Sequence, residues 1–454
     1  MLGTKVPTKS GTFGMSGKKA VDLLIANGTV LTMNQQKDII EKGAVAVQDG
    51  EIVAVGLMGE IEQKYTAKKV IDAGGQVVLP GLINAHTHAS MIFFRGFADD
   101  LLLMDWLHAL FPEEKEHVTA DFVYWGAKLA CYEMIKGGIT TFVDMYYFED
   151  KVAQAAYEMG MRAILGETII GFPTPDSPSY KEALEYTKSF VKKWNNNPLI
   201  TPAVAPHACY TCSEEMLLAS KELSQQYDVP LITHVSETES EIEQVLEKHN
   251  MRPVGYLDSL GMLNERLIAA HCVHLNNDEI ALLKQKKVGV AHCPISNMKI
   301  AAGIAPVRDL LAQNVFVGLG TDSAASNNAL DMFAEMKTAT LLQKVATGNA
   351  TVLNAYQTLE LATIGGARAI HMDAQIGSLE VGKKADITIV AMDAIHQIPV
   401  YNIVSQLVYA TKASDVQTVI IDGKVVMQDC VLATESELKE LKQKVTHFKK
   451  LIKK

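Results

Sequence analysis

The stretch VVLPGLINAHTHAS, Val77 to Ser90, decides how this chain is read. An apolar run broken by Pro80-Gly81 ends in two histidines two positions apart, His86 and His88. In a strand, positions i and i+2 share a face, so both imidazoles can address one ion. The pair alone could equally be two unrelated polar residues at a strand end. Partners for a metal have to come from elsewhere in the chain.

Outward from this stretch, apolar strand-like runs recur between helical patterns: TTFVDM (140–145), RAILGETI (162–169), LITPAVAPH (199–207), VPLITHVSE (229–237), RLIAAHCVHL (266–275), VGVAHCP (288–294) and VFVGLGTD (315–322). With the opening stretch they make eight strand candidates, and helical segments such as DFVYWGAKLACYEMIKGG (121–138) fall between them. Eight βα units point to an α/β fold, a TIM (β/α)8 barrel, whose chemistry gathers at the C-terminal strand ends. No G-x-G-x-x-G follows the first strand, which counts against a dinucleotide-binding sheet.

On either side of this region the idiom changes. VDLLIANGTVLTM (21–33) and GAVAVQDGEIVAVG (43–56) precede it, and ADITIVAMD (385–393) and VQTVIIDGKVVMQDCVL (416–432) follow it, with Asp49-Gly50 and Asp422-Gly423 as hairpin signals. The expected organisation is a flexible polar tail over 1–19, a small β-sandwich domain built from 20–78 plus 378–454, and a catalytic barrel over 79–377. The last segment, SELKELKQKVTHFKKLIKK, reads as a solvated surface helix with a basic end.

The 454 residues are 48% hydrophobic and 21% charged, an ordinary globular composition. A formal net charge of -10 without a dense basic cluster disfavours nucleic-acid partners. No apolar run approaches the ~20 residues that span a bilayer, and the first residues lack the apolar middle of a signal peptide, so a cytoplasmic protein without a membrane partner is expected. Six cysteines are too few for a disulfide scaffold. Cys209 and Cys212 form a C-x-x-C with no second pair to complete a zinc knuckle, and a structural role is expected.

The strand ends carry the chemistry. The first offers His86 and His88, the fifth His234, the sixth His271 with His274 three residues on, and the eighth Asp322. Histidines with a carboxylate suit one divalent ion, zinc or ferrous iron, with a position left for water. A lone strand-end histidine is usually a capped or solvated side chain, but ionisable groups on four strands of one barrel are hard to dismiss. His86, His88, His234 and Asp322 can form the ligand set, leaving His271 to orient the water and Glu237 to move the proton. On spacing alone Glu237 could equally be a solvated carboxylate at a helix start.

LPGLINAHTHASM, RGFADD, DWL, APHACYTCSEE, THVSETE, AAHCVHL, AHCPISNMKIAAGIAPV, GTDSAASNN with DMFAEMKTATLLQK, and GSLEVGKKADI together cover nearly the whole chain. In these stretches it resembles the amidohydrolase superfamily, within it the methylthioadenosine/S-adenosylhomocysteine deaminases. HTH, H-x-x-E and GTD are widely shared motifs of that superfamily; AASNN with PHACYTC is more particular to the subgroup. The resemblance implies a barrel with a terminal sandwich and one metal, since His207 and no lysine ends the fourth strand. It implies metal ligation by His86, His88, His234 and Asp322, proton shuttling by Glu237 and water activation by His271. Substrate contacts are implied for His207, for Glu114 to ribose hydroxyls (matched through P-x-E, one residue being missing between Trp106 and Pro112), and for Trp106 and Ser326. The implied reaction is hydrolytic deamination: activated water attacks purine C6, Glu237 protonates N1, and ammonia leaves the inosine analogue.

Two positions depart from the family pattern. Five residues beyond Arg162, where an arginine able to meet the substrate tail is implied, stands Glu167, expected to disfavour the carboxylate of S-adenosylhomocysteine. Cys209 replaces a proline beside His207 and is expected to pack. Alternatives are an aminohydrolase of guanine or a pterin, a triazine hydrolase releasing amine or chloride, and a catalytically inactive scaffold. The full ligand set speaks against the scaffold, and the absence of H-x-E with P-C-x-x-C removes a cytidine-deaminase-like zinc site. A homo-oligomer is expected.

Overall fold

The computed structural model describes residues 17–452. Residues 1–16 of the expected tail lie outside the described residues, and strand β1 already begins at Lys19.

The small domain contains β1 (Lys19–Leu31), β2 (Ile39–Gln48), β3 (Glu51–Leu57), β4 (Tyr65–Asp72) and β5 (Gln76–Pro80). After a long excursion the chain adds β14 (Ile387–Ala391), β15 (Val416–Ile421), β16 (Lys424–Gln428) and β17 (Val431–Leu432). Antiparallel pairing of β14 with β5 sews the two ends of the chain into one mixed nine-stranded sheet. The sheet folds back on itself: Val45, Ile52, Ile71, Ile387 and Ile420 share one apolar core, and Glu51 bridges to Lys384.

The barrel strands are β6 (Leu82–Thr87), β7 (Ile139–Tyr146), β8 (Arg162–Ile169), β9 (Ile200–Pro206), β10 (Leu231–Val235), β11 (Leu267–His271), β12 (Gly289–His292) and β13 (Phe316–Leu319). They run parallel in sequence order. The two ends of the sheet meet where Asp322 N–H donates to His86 O at 2.9 Å and the Asn84 side chain bonds Thr321 twice. Alternate positions point inward, among them Ile83, Ala85, Val143, Met145, Ile164, Ala203 and Ala205, while the others face the surrounding helices. Ile364, Ala367 and Ile370 of the segment that follows plug the barrel floor.

The run VVLPGLI contains two strands, because Gly81 separates β5 in the small sheet from β6 in the barrel. A Cβ at Gly81 would lie 2.1 Å from Thr140 Oγ1, so no other residue fits that close approach. The C-terminal helix Leu438–Ile452 corrects the expectation of a solvated surface helix. It buries Leu441, Phe448 and Ile452, with Phe448 packed against Phe93 at 4.9 Å and Phe122 at 5.2 Å. Among the described residues no helix is long and apolar enough to cross a membrane.

Candidate metal centre

His86 stands near the end of β6, where the pairing with β7 shifts register between Asn84 and Thr87, and His88 follows just beyond the strand. Three of the other strand ends turn sharply through left-handed residues: Ser236 after β10 (φ 52°), His271 (φ 72°) and Asp322 (φ 59°). Such backbone costs about 1–3 kcal/mol per residue and persists where the surroundings dictate it. Here it turns side chains of separate strands toward one point.

His86, His88 and His234 present nitrogens, and His86, His271 and Asp322 present nitrogens and a carboxylate oxygen, within 4.8 Å of one another. His88 Nε2 lies 3.3 Å and His86 Nε2 3.7 Å from Asp322 Oδ1. His88 Nδ1 donates to Met145 O at 2.5 Å, and His234 Nδ1 donates to His207 O at 2.8 Å. A carbonyl only accepts, so each Nδ1 carries a proton and Nε2 is the nitrogen each ring turns to the cluster. Those two nitrogens face each other at 3.4 Å. Neither nitrogen of His86 has a hydrogen-bond partner, although the ring is fully buried. Burial holds His86 and His234 well below the usual histidine range, which keeps their lone pairs free. Acceptors crowded together without donors fit a divalent cation, and three imidazoles with one carboxylate suit zinc.

Asp322 is itself held. Ser296 Oγ and Ser326 Oγ donate to its Oδ2 at 2.6 and 2.9 Å, and Ser323 N–H to its Oδ1 at 2.7 Å. Burial would raise its carboxyl, but the rings of His88, His271 and His86 and the Ser296 hydroxyl hold it below the usual carboxylate range. His271 Nδ1 donates to Asn297 Oδ1 at 2.9 Å, and its Nε2 stands 3.6 Å from Glu237 Oε1. Burial raises the Glu237 carboxyl against the lowering effect of His271. For His271 burial acts downward, and Glu237 and Asp322 outweigh it, so its ring is raised. Glu241 braces the turn by accepting from Ser236 and Glu237 N–H at 3.0 and 2.7 Å. His274 turns away and donates to Ala302 O at 2.6 Å.

The cluster opens into a cavity whose envelope, open solvent at its mouth included, is about 620 Å³. His88, His207, His234, Glu237, His271 and Asp322 line its inner end. Trp106, Glu114 and Ser326 also line it. The Ser326 hydroxyl, however, is bonded to Asp322, Ser296 and Ser323. His207 Nδ1 bonds Thr211 Oγ1 at 2.9 Å, and burial lowers its ring to about 3, so it is neutral. Glu114 faces inward, whereas Glu113 pairs with His117 at 3.3 Å. Tyr146 Oη donates to Glu114 Oε1 at 2.6 Å, and burial nevertheless raises that carboxyl to about 7.

Glu167 is the correction. It does not line the cavity; its neighbour Thr168 does. Inward positions of β8 are Ile164 and, at the top, Thr168, so by alternation Glu167 faces the helix layer. There its Oε2 accepts from Glu149 N–H at 3.0 Å. Cys209 and Cys212 are buried free thiols, with Cys212 Sγ on Ile169 O at 3.3 Å. The residues that brace the site without having been singled out are Tyr146, Ser296, Asn297 and Glu241. Ser296 and Asn297 stand in the quoted AHCPISNMK stretch; Tyr146 lies in an apolar run with nothing to mark it.

The amidohydrolase family matches residues 77–426 of the chain. A 5-methylthioadenosine/S-adenosylhomocysteine deaminase of Syntrophobacter fumaroxidans is 48% identical over 96% of this chain and 100% of its own length. A 5'-deoxyadenosine deaminase of Methanosarcina mazei is 44% identical over 93% of this chain and 96% of its own. An adenosine deaminase from Xanthomonas campestris, crystallised with bound zinc, superposes with a TM-score of 0.94 at 37% identity, covering 96% of this chain and 100% of the other.

Proposed function

Since the chain belongs to the amidohydrolase family, we propose that it is a metal-dependent hydrolytic deaminase. It acts on the C–N bond of a cyclic amidine, converting an adenosine thioether (5'-methylthioadenosine or S-adenosylhomocysteine) to the inosine analogue and ammonia. The observation that carries this reading is the set of acceptor nitrogens and one carboxylate converging beside the Glu237–His271 pair at the inner end of the cavity. The cofactor is one divalent ion, and zinc fits the donor set.

His86, His88, His234 and Asp322 would hold the ion, which when bound acidifies water enough to supply a nucleophile at neutral pH. His271, fixed by Asn297, orients that water and takes up its proton. Glu237, which burial favours in its protonated form, gives a proton to N1 of the purine as C6 is attacked. His271 returns its proton to the amino group, which leaves as ammonia, and the C6 hydroxyl proton restores Glu237 as the ring regains aromaticity, so one water is consumed for one ammonia released. Glu114, steadied by Tyr146, gives the sugar hydroxyls an acceptor, a feature that a free guanine, pterin or triazine would leave unused.

The division of the chain into an 79–377 catalytic barrel and a terminal β-domain is part of the same reading. So is a cytoplasmic location, supported by six cysteines that all remain unpaired. Self-association is supported by Leu341 and Val345, exposed by 45% and 81% one turn apart on the helix Met332–Thr347, and sedimentation checks it.

The test is a deamination panel on zinc-loaded enzyme, following ammonia release and the purine absorbance shift. It holds methylthioadenosine, S-adenosylhomocysteine, adenosine, guanine, a pterin and an aminotriazine. Turnover of an adenosine thioether is expected, with Glu237→Gln lowering kcat by about 10³-fold. Turnover confined to a free base or a triazine would sink the nucleoside assignment.

A further inference from the structure

The helix Leu103–His117 lays one face along the cavity: Leu103, Trp106, Leu107, Leu110, Phe111 and Glu114, at the spacing of a single helical stripe. Glu114 is the only ionisable group on that stripe. From Glu114 to Leu103 the helix rises about 16 Å, so the wall beyond the sugar acceptor is apolar for three turns. Burial falls off in the same direction. Leu110 and Glu114 are buried, Leu103 is half-buried, and Leu102 just before the helix is 64% exposed. The stripe therefore runs from the interior at Glu114 to the rim at Leu103, and beside Glu114 the half-buried Phe111 packs on Phe172 at 5.1 Å. Met91 and Ile300 add further apolar lining to the cavity.

Among the described residues that line the cavity there is no Lys or Arg, and the carboxylates are Glu114, Glu237 and Asp322. The cations nearest in the chain to the lining residues Met91 and Ile300 are already engaged. Lys299 Nζ lies 2.5 Å from Asp99 Oδ1 and 3.2 Å from Ala325 O, and Arg95 pairs with Glu133. A carboxylate entering here would lose water and gain no counter-charge, which is unfavourable.

We propose that the subsite beyond the ribose selects an uncharged 5' substituent, a methylthio group or a bare 5' methyl, and discriminates against a zwitterionic amino-acid tail. This rests on the deaminase reading above and narrows its substrate class. Glu167 has no part in it, since its side chain lies outside the barrel wall.

The test compares methylthioadenosine, 5'-deoxyadenosine, 5'-butylthioadenosine and S-adenosylhomocysteine on the zinc enzyme, by kcat/KM and by thermal shift at matched concentrations. Butylthioadenosine controls for length without charge. The expected result is that it stays close to methylthioadenosine while S-adenosylhomocysteine falls by about 30-fold or more, mainly in KM. In Leu103→Arg, which puts a cation at the half-exposed rim, the ratio between butylthioadenosine and S-adenosylhomocysteine should narrow by about tenfold. S-adenosylhomocysteine used as well as butylthioadenosine overturns the proposal, and so does an equal loss for both, which would make length the cause. If none of the four is deaminated the deaminase reading fails, and the thermal shifts still decide whether the subsite distinguishes the tails.

Discussion

Glu167 has one carboxylate oxygen on the Glu149 N–H and the other without a partner, in a fully buried setting that also holds Glu149 and Asp144. Burial and the neighbouring Asp176 raise its carboxyl well above the usual range. The folded state thus keeps a proton that the unfolded chain gives up near pH 4.3, so stability falls as pH rises from there toward the folded pKa. Glu167→Gln keeps an acceptor for Glu149 N–H and needs no proton. It should raise Tm by a few degrees at pH 8 and by little at pH 5. Calorimetry at both pH values checks this, and a stabilisation that grew toward acid would refute it. Turnover should be nearly untouched, because the side chain points away from the cavity. Its orientation was not legible in RAILGETI: both faces of a barrel strand are buried, so the run lacks the alternation that would separate inward from outward positions.

At the scale of elements, the C-terminal helix matters more than its basic, polar composition suggests. Phe448 sits between Phe93, in the short turn Ala89–Phe94 that follows His88, and Phe122, in the helix Ala120–Lys136. Lys444 adds a bond to Asp121 at 2.9 Å. The helix thereby supports the turn that leaves the metal cluster. Phe448→Ala should cost about 3 kcal/mol of stability in a urea titration. A change below ~1 kcal/mol would mean that the helix only rests on the surface. The polar, basic composition reads as a solvated helix, because the residues it covers lie more than three hundred positions away.

For the whole molecule, the cluster of bare nitrogens links the first, fifth and sixth strands to the carboxylate after the eighth, across the seam where the barrel closes. An ion bound there ties these strands together in the folded state alone. Removing it with a chelator should abolish deamination and lower Tm. Restoring zinc should recover both, with a gain of about 4 kcal/mol at a thousandfold excess over Kd. Unchanged Tm after verified metal loss would show that the barrel closes without it. The barrel, the terminal β-domain and the metal-ligand candidates could all be read from the chain. Strand period, hairpin signals and histidines at run ends are local, and locality is what a one-dimensional pattern preserves. Only the tertiary structure decided which side of β8 Glu167 takes, that Tyr146 steadies Glu114, that Ser296 and Asn297 brace the cluster, and that one helix face forms an uncharged wall. Those facts depend on register and on contacts between segments far apart in sequence, and buried parallel strands leave no alternation from which to read them.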